Sequence, residues 1–76
     1  MPVNIIIFGR LTDITGGSLV LENVEDTNCL VEELHLLYPA LADSKYVIAV
    51  DKKVVHENTR LSENSVVALL PPFSGG

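Results

Sequence analysis

Two apolar runs, one near each end of the sequence, constrain what this chain can fold into. Val3-Asn4-Ile5-Ile6-Ile7-Phe8 is β-branched and nearly all apolar, and it stops at Gly9. Val66-Val67-Ala68-Leu69-Leu70 is apolar throughout and stops at Pro71. Such runs read as strands buried on both faces. Being the most uniformly apolar segments, they are expected side by side at the centre of one sheet. With 76 residues there is room for one domain only. A domain of this size buries only about 60% of its unfolded surface, so both runs must share one small core.

The remaining elements fit around that pair. Arg10 to Ile14 predicts a short turn of helix, broken by Gly16-Gly17. Ser18 to Val24 predicts a second strand, antiparallel to the first across a loose loop. Asp26 is a helix N-cap. After it Leu30, Val31, Leu34, Leu37 and Tyr38 recur as one helical stripe, with Glu32 and Glu33 off it. Pro39 ends that helix, because the residue before a proline avoids the α region. Tyr46 to Val50 predicts a third strand. Asp51-Lys52-Lys53 forms a turn into a short strand at Val54-Val55. His56 to Asn64 is a polar loop with Leu61 as its buried residue. The order β-β-α-β-β-β implies an α+β fold of the β-grasp, or ubiquitin-like, kind. It is a mixed sheet with one main helix packed on one face. Residues 1–70 make the domain and residues 71–76 an extended tail.

One helix leaves the other sheet face open, and that bears on composition. The chain is 47% hydrophobic with a mean hydropathy of +0.34, more apolar than a small core can hide. Strand residues alternate faces. If Val3, Ile5 and Ile7 face the helix, Ile6 and Phe8 face away, as do Ala68 and Leu70. The open face is thus expected to carry Phe8 and Leu70, with Val54 near, as a docking patch. The net charge of −5 excludes an electrostatic footprint for nucleic acid or an anionic membrane. No run reaches membrane-spanning length. A single cysteine, Cys29, with no basic apolar leader, fits a reducing compartment, and a cytoplasmic location is expected.

The tail reads Pro71-Pro72-Phe73-Ser74-Gly75-Gly76. Two prolines stop the strand ladder, since neither has an N–H to donate, and favour an extended path. Six extended residues reach about 20 Å, at roughly 3.3 Å each, enough to enter a tunnel in another protein. Glycines at the tip let the backbone approach reactive groups without a Cβ in the way. A carboxylate there is a poor electrophile. Adenylation with ATP makes it a mixed anhydride that a persulfide or thiolate can attack, leaving a thiocarboxylate.

The ending Val-Ala-Leu-Leu-Pro-Pro-Phe-Ser-Gly-Gly resembles that of the small subunit of molybdopterin synthase, the MoaD family. The start Val-Asn-Ile-Ile-Ile-Phe-Gly-Arg, the Tyr-Pro closing the helix and the stretch from Ile48 to Asn64 are also similar. The resemblance implies a β-grasp fold and activation by an ATP-dependent adenylating and sulfurating enzyme. It further implies insertion of the tail into a large subunit, as two small and two large chains. There the sulfur goes to cyclic pyranopterin monophosphate to form the molybdopterin dithiolene. By this resemblance Gly76 carries the sulfur, Gly75 and Ser74 thread the tunnel, and Phe73, Pro72 and Pro71 seat the tail. The family's contact patch maps onto Phe8, Val54 and Leu70. No bound cofactor is implied; ATP is used by the activating enzyme. Phe73 is bulkier than the small apolar residue usual in that family. Asp51 stands where an Asn is more usual, a change expected to affect only a turn.

Other constellations carry less. Cys29 lies near the helix start but has no second Cys or base at a readable spacing, and reads as structural. His35 and His56 are too far apart in sequence and lack zinc-ligand spacing. Gly9 and Gly16-Gly17 form no phosphate loop. No nucleophilic triad is present, so no catalysis is expected from the chain alone. Three other functions share parts of this pattern: a thiamine-pathway sulfur carrier, a ubiquitin-like modifier and a plain binding module.

Overall fold

In the computed structural model, which describes residues 2–72, five strands form one mixed sheet. They are β1 (Pro2–Ile7), β2 (Ser18–Glu22), β3 (Val47–Val50), β4 (Lys53–Val55) and β5 (Val66–Leu70), in the order β2-β1-β5-β3-β4. β1 pairs antiparallel with β2 and parallel with β5. β3 pairs antiparallel with β5 and with β4. The first and last strands thus lie side by side at the middle of the sheet, as their composition predicts.

They are not, however, buried on both faces. Val3, Ile5 and Ile7 are buried, whereas Asn4 and Ile6 between them are exposed. In β5, Val67 and Leu69 are buried, Val66 is exposed, and Ala68 and Leu70 are half-buried. The cause is the layer count. A single main helix, α2 (Thr27–Leu37), covers one face, and among the described residues no second layer covers the other.

α2 forms where a cap and an apolar stripe coincide. The Asp26 carboxylate accepts the Cys29 N–H at 2.9 Å, the N-cap bond read from sequence. Leu30 and Leu34 are fully buried against β1 and β5 residues of the core. The stripe stops there, contrary to its sequence pattern: Leu37 is 56% exposed and Tyr38 half-buried. At Tyr38 the backbone leaves the helix (φ −132°), and Pro39 starts a second short helix, α3 (Pro39–Ala42). Its Leu41 is fully buried in the core, while Leu37 is left at the surface. Between β1 and β2 the expected helical turn is present as a 3-10 turn at Gly9–Leu11 followed by one α turn, α1 (Thr12–Thr15).

The polar loop after β4 has a structural task. The Asn58 side-chain oxygen accepts the Asn28 N–H at 2.9 Å, and its amide donates to Asp26 at 3.3 Å. Thr59 N–H donates to the Thr27 hydroxyl, and Thr27 N–H to the Thr59 carbonyl, each at 2.9 Å. The loop therefore supplies half the cap of α2, satisfying N–H groups that every helix start leaves open. Leu61 is buried just beyond this clamp, as expected. At the other end of the helix, His35 Nε2 lies 2.8 Å from the Tyr46 hydroxyl, with the rings edge to face.

Two outcomes follow from these contacts. Asn58→Ala is expected to cost about 1–2 kcal/mol in urea unfolding, although Asn58 contributes nothing to the apolar core. Burial pushes the Tyr46 phenol above its ordinary value of 10.0. The folded chain thus holds that proton longer than the unfolded one. The resulting stability is full below the unfolded value and is lost as pH rises through the folded one. Urea unfolding at increasing alkaline pH should show that decline, and Tyr46→Phe should remove Tyr46's share of it.

Candidate functional site

On the open face, strand alternation and register set the side chains in rows. Ile6, Ala68, Ala49 and Val54 form one row across β1, β5, β3 and β4. Leu70 and Val47 stand opposite each other in the next. Phe8 follows Ile6 on β1's path and lies beside Leu70, because its N–H continues the ladder to the Leu69 carbonyl at 3.0 Å. Phe8 is 45% and Val54 51% exposed, with Leu70 half-buried. The three patch residues read from sequence therefore share this face. Phe8 and Leu70 are neighbours; Val54 stands at the far edge, beyond two alanines. Ala49 is buried without joining the core cluster. Ile6, Val20 and Val66 add exposed apolar surface to the same side.

The base of the tail is held at one corner of this patch. β5 runs directly into Pro71, half-buried, and Pro72, exposed. Two steps beyond the Ile7–Leu69 pair, the register sets Gly9 opposite Pro71. Gly9 has φ +65°, and a Cβ there would stand 2.8 Å from Pro71 Cγ. Both the left-handed backbone and the close approach call for glycine. Reading the sequence for phosphate loops missed this residue; its signal was a glycine ending a strand that pairs with the strand before the prolines. Phe73, Ser74, Gly75 and Gly76 lie outside the described residues.

Asp51 does more than alter a turn. Asp51 and Lys52 have φ 50° and 73°, the two left-handed positions of a tight hairpin between β3 and β4. The Asp51 N–H donates to the Val66 carbonyl at 2.9 Å, and the Val66 N–H donates to the Asp51 carboxylate at 3.0 Å. The hairpin is thereby tied to the start of β5, the strand that carries the tail.

No group of three or more His, Cys, Asp or Glu among the described residues is placed to hold a metal. No helix among them is long and apolar enough to cross a membrane. Cys29 is half-buried and its N–H serves the cap. A cavity of about 450 Å³, lined by Val3, Asn23, Arg60 and Leu61 among others, lies at the opposite end of β1 from the tail.

The model of the ThiS family matches residues 5–76. A chain from the complex of subunits 1 and 2 of molybdopterin-converting factor of Helicobacter pylori is 26% identical, with a TM-score of 0.74 over 100% of both chains. A protein assigned as molybdopterin converting factor subunit 1 from Pyrococcus furiosus is 21% identical (TM-score 0.85, 96% of this chain and 99% of that one). SAMP1 from Haloferax volcanii is 17% identical (TM-score 0.77, 100% of both chains). The last two establish likeness of fold, and the ubiquitin-like sheet and helix expected from the sequence agree with all three.

The Asp51 clasp makes a graded prediction in urea unfolding. Asp51→Asn should retain stability. Asp51→Ala should lose about 1 kcal/mol. Lys52→Gly should gain about 1 kcal/mol by relieving a left-handed lysine.

Proposed function

The chain belongs to the ThiS family of ubiquitin-like sulfur carriers, and from that we propose that it is the sulfur-donating small subunit of a molybdopterin synthase. The observation that carries the proposal is the continuity of β5 with Pro71 and Pro72, at the corner of an open apolar face. Such a corner lets a folded body dock while its tail enters the partner. The similarity to the Helicobacter pylori converting-factor complex over the full length of both chains supports a large-subunit partner.

In this reading the chain's reactive group is the Gly76 carboxylate. One oxygen attacks the α-phosphorus of ATP on an adenylating enzyme, and pyrophosphate leaves. Sulfur at the hydrosulfide level then attacks the acyl carbon, AMP leaves, and a thiocarboxylate remains. A persulfide donor gives an acyl disulfide first, which a second thiol reduces. On the large subunit the sulfur passes to cyclic pyranopterin monophosphate, and water restores the carboxylate. A dithiolene holds two sulfurs, so two charged chains are consumed per product, consistent with a complex of two small and two large chains. Phe8, Leu70 and Val54 supply the docking patch; Pro71, Pro72, Phe73, Ser74 and Gly75 guide the tail. The chain binds no cofactor and supplies no acid or base. Its acidic charge suits steering toward basic partner surfaces. Work in the cytoplasm fits its single cysteine.

A thiamine-pathway carrier is the second reading, because the Gly75-Gly76 ending and the β-grasp order suit it as well. The acceptor separates the two. Intact-mass spectrometry after incubation with ATP, a sulfur source and the adenylating enzyme should show one oxygen replaced by sulfur. Loss of that gain on adding large subunit and cyclic pterin precursor supports the molybdopterin reading. A gain that persists there points to the thiamine pathway, and no gain, with a control carrier active, rejects both. Deleting Gly75 and Gly76 should abolish transfer entirely. Phe8→Glu should weaken large-subunit binding by about 2 kcal/mol, read by calorimetry, while thermal stability changes little.

A further inference from the structure

We propose that Gly9 is a positioning residue for the tail: packed against Pro71, it sets the direction in which the chain leaves β5. The inference rests on the sulfur-carrier reading and adds a residue to it. Three observations converge on this point. The β1–β5 ladder runs one bond past the strands, from Phe8 N–H to the Leu69 carbonyl, so the two strand ends are locked side by side. The register then brings Gly9 level with Pro71. At Gly9 the backbone turns left-handed (φ +65°), and the site of its missing Cβ lies 2.8 Å from Pro71 Cγ and 3.3 Å from Cδ.

Pro71 thus rests against the folded body at Gly9, while Pro72 after it is exposed. The φ of Pro71 is fixed by its ring, so where the ring lies decides the heading of the next peptide. An L side chain at position 9 sets its Cβ 2.8 Å from that ring, so ring or backbone must shift. Gly9 also joins Phe8 to the 3-10 turn, so patch and tail base are held by one short stretch. A carrier that docks by a patch and a tail together gains from having both prearranged, because the second contact is then nearly intramolecular. Changing the heading should therefore weaken engagement of the activating enzyme more than the chemistry that follows.

The test compares chemically synthesised full chains: wild type, Gly9→Ala, and the same substitution made with D-alanine. D-alanine accepts φ +65° and places its methyl on the other side of Cα, away from the point nearest Pro71. Thiocarboxylate formation by the adenylating enzyme is followed by intact mass against carrier concentration. For Gly9→Ala, KM for the carrier should rise about tenfold with kcat little changed, below the roughly hundredfold cost of a 1 Å misplacement at reacting atoms. The D-alanine chain should lie nearer wild type than the L-alanine chain. An NMR contact between Gly9 Hα and the Pro71 ring protons is expected in the wild-type chain. Its absence overturns the proposal even where Gly9→Ala fails to fold. Equal KM for wild type and Gly9→Ala, both gaining sulfur, also overturns it and leaves the sulfur-carrier reading standing. A wild-type chain that never gains sulfur, beside an active control carrier, overturns the reading and the role of Gly9 with it.

Discussion

The parallel pairing of β1 with β5 is the interaction on which the rest of the structure depends. It joins the two most apolar segments, and nearly the whole chain must close between them. Loop closure of that length is costly but grows only slowly with length, and burial of Val3, Ile5, Ile7, Val67 and Leu69 offsets it. β2 then adds to one side, and β3 with β4 to the other. Because the two central strands point the same way, their ends emerge together. The base of the tail therefore stands beside Phe8 and Gly9 as a result of topology, before any specific contact is made.

A one-helix cover gives the two sheet faces different uses. The face under α2 holds the fully buried side chains and most of the stabilising area. The other face keeps its apolar residues at the surface, where they contribute little to folding and are free to meet a partner. Its row of alanines between Ile6 and Val54 leaves low ground between higher edges.

Much of this was legible in the sequence. The central pairing of the first and last strands followed from their apolarity, and the face carrying Phe8 and Leu70 followed from alternation. The Asp26 cap was readable because its partner, the Cys29 N–H, is three residues away. What was missed depends on contacts distant in sequence. Leu37 obeys the helical period, yet Leu41 of α3 occupies the core, and periodicity does not reveal where a chain turns away. Uniform apolarity in β1 and β5 implies two-sided burial only where a second layer exists, and here the alternate residues stay exposed or half-buried. Gly9 and Asp51 carry no local sign of Pro71 and Val66; only the register brings them together.

The Asn58 clamp also shapes how the molecule comes apart. A helix of eleven residues is marginal by itself in water, and here the polar groups that finish its first turn come from a loop on the far side of the sequence. Helix and loop therefore cannot open one at a time without leaving hydrogen-bonding groups unsatisfied in each other. Fraying of the 56–64 loop removes its half of the α2 cap, and loosening of α2 uncovers Leu30 and Leu34 above the central strands. The result is a single cooperative unit, in which a protease nick in that loop would be felt as unfolding of the whole body.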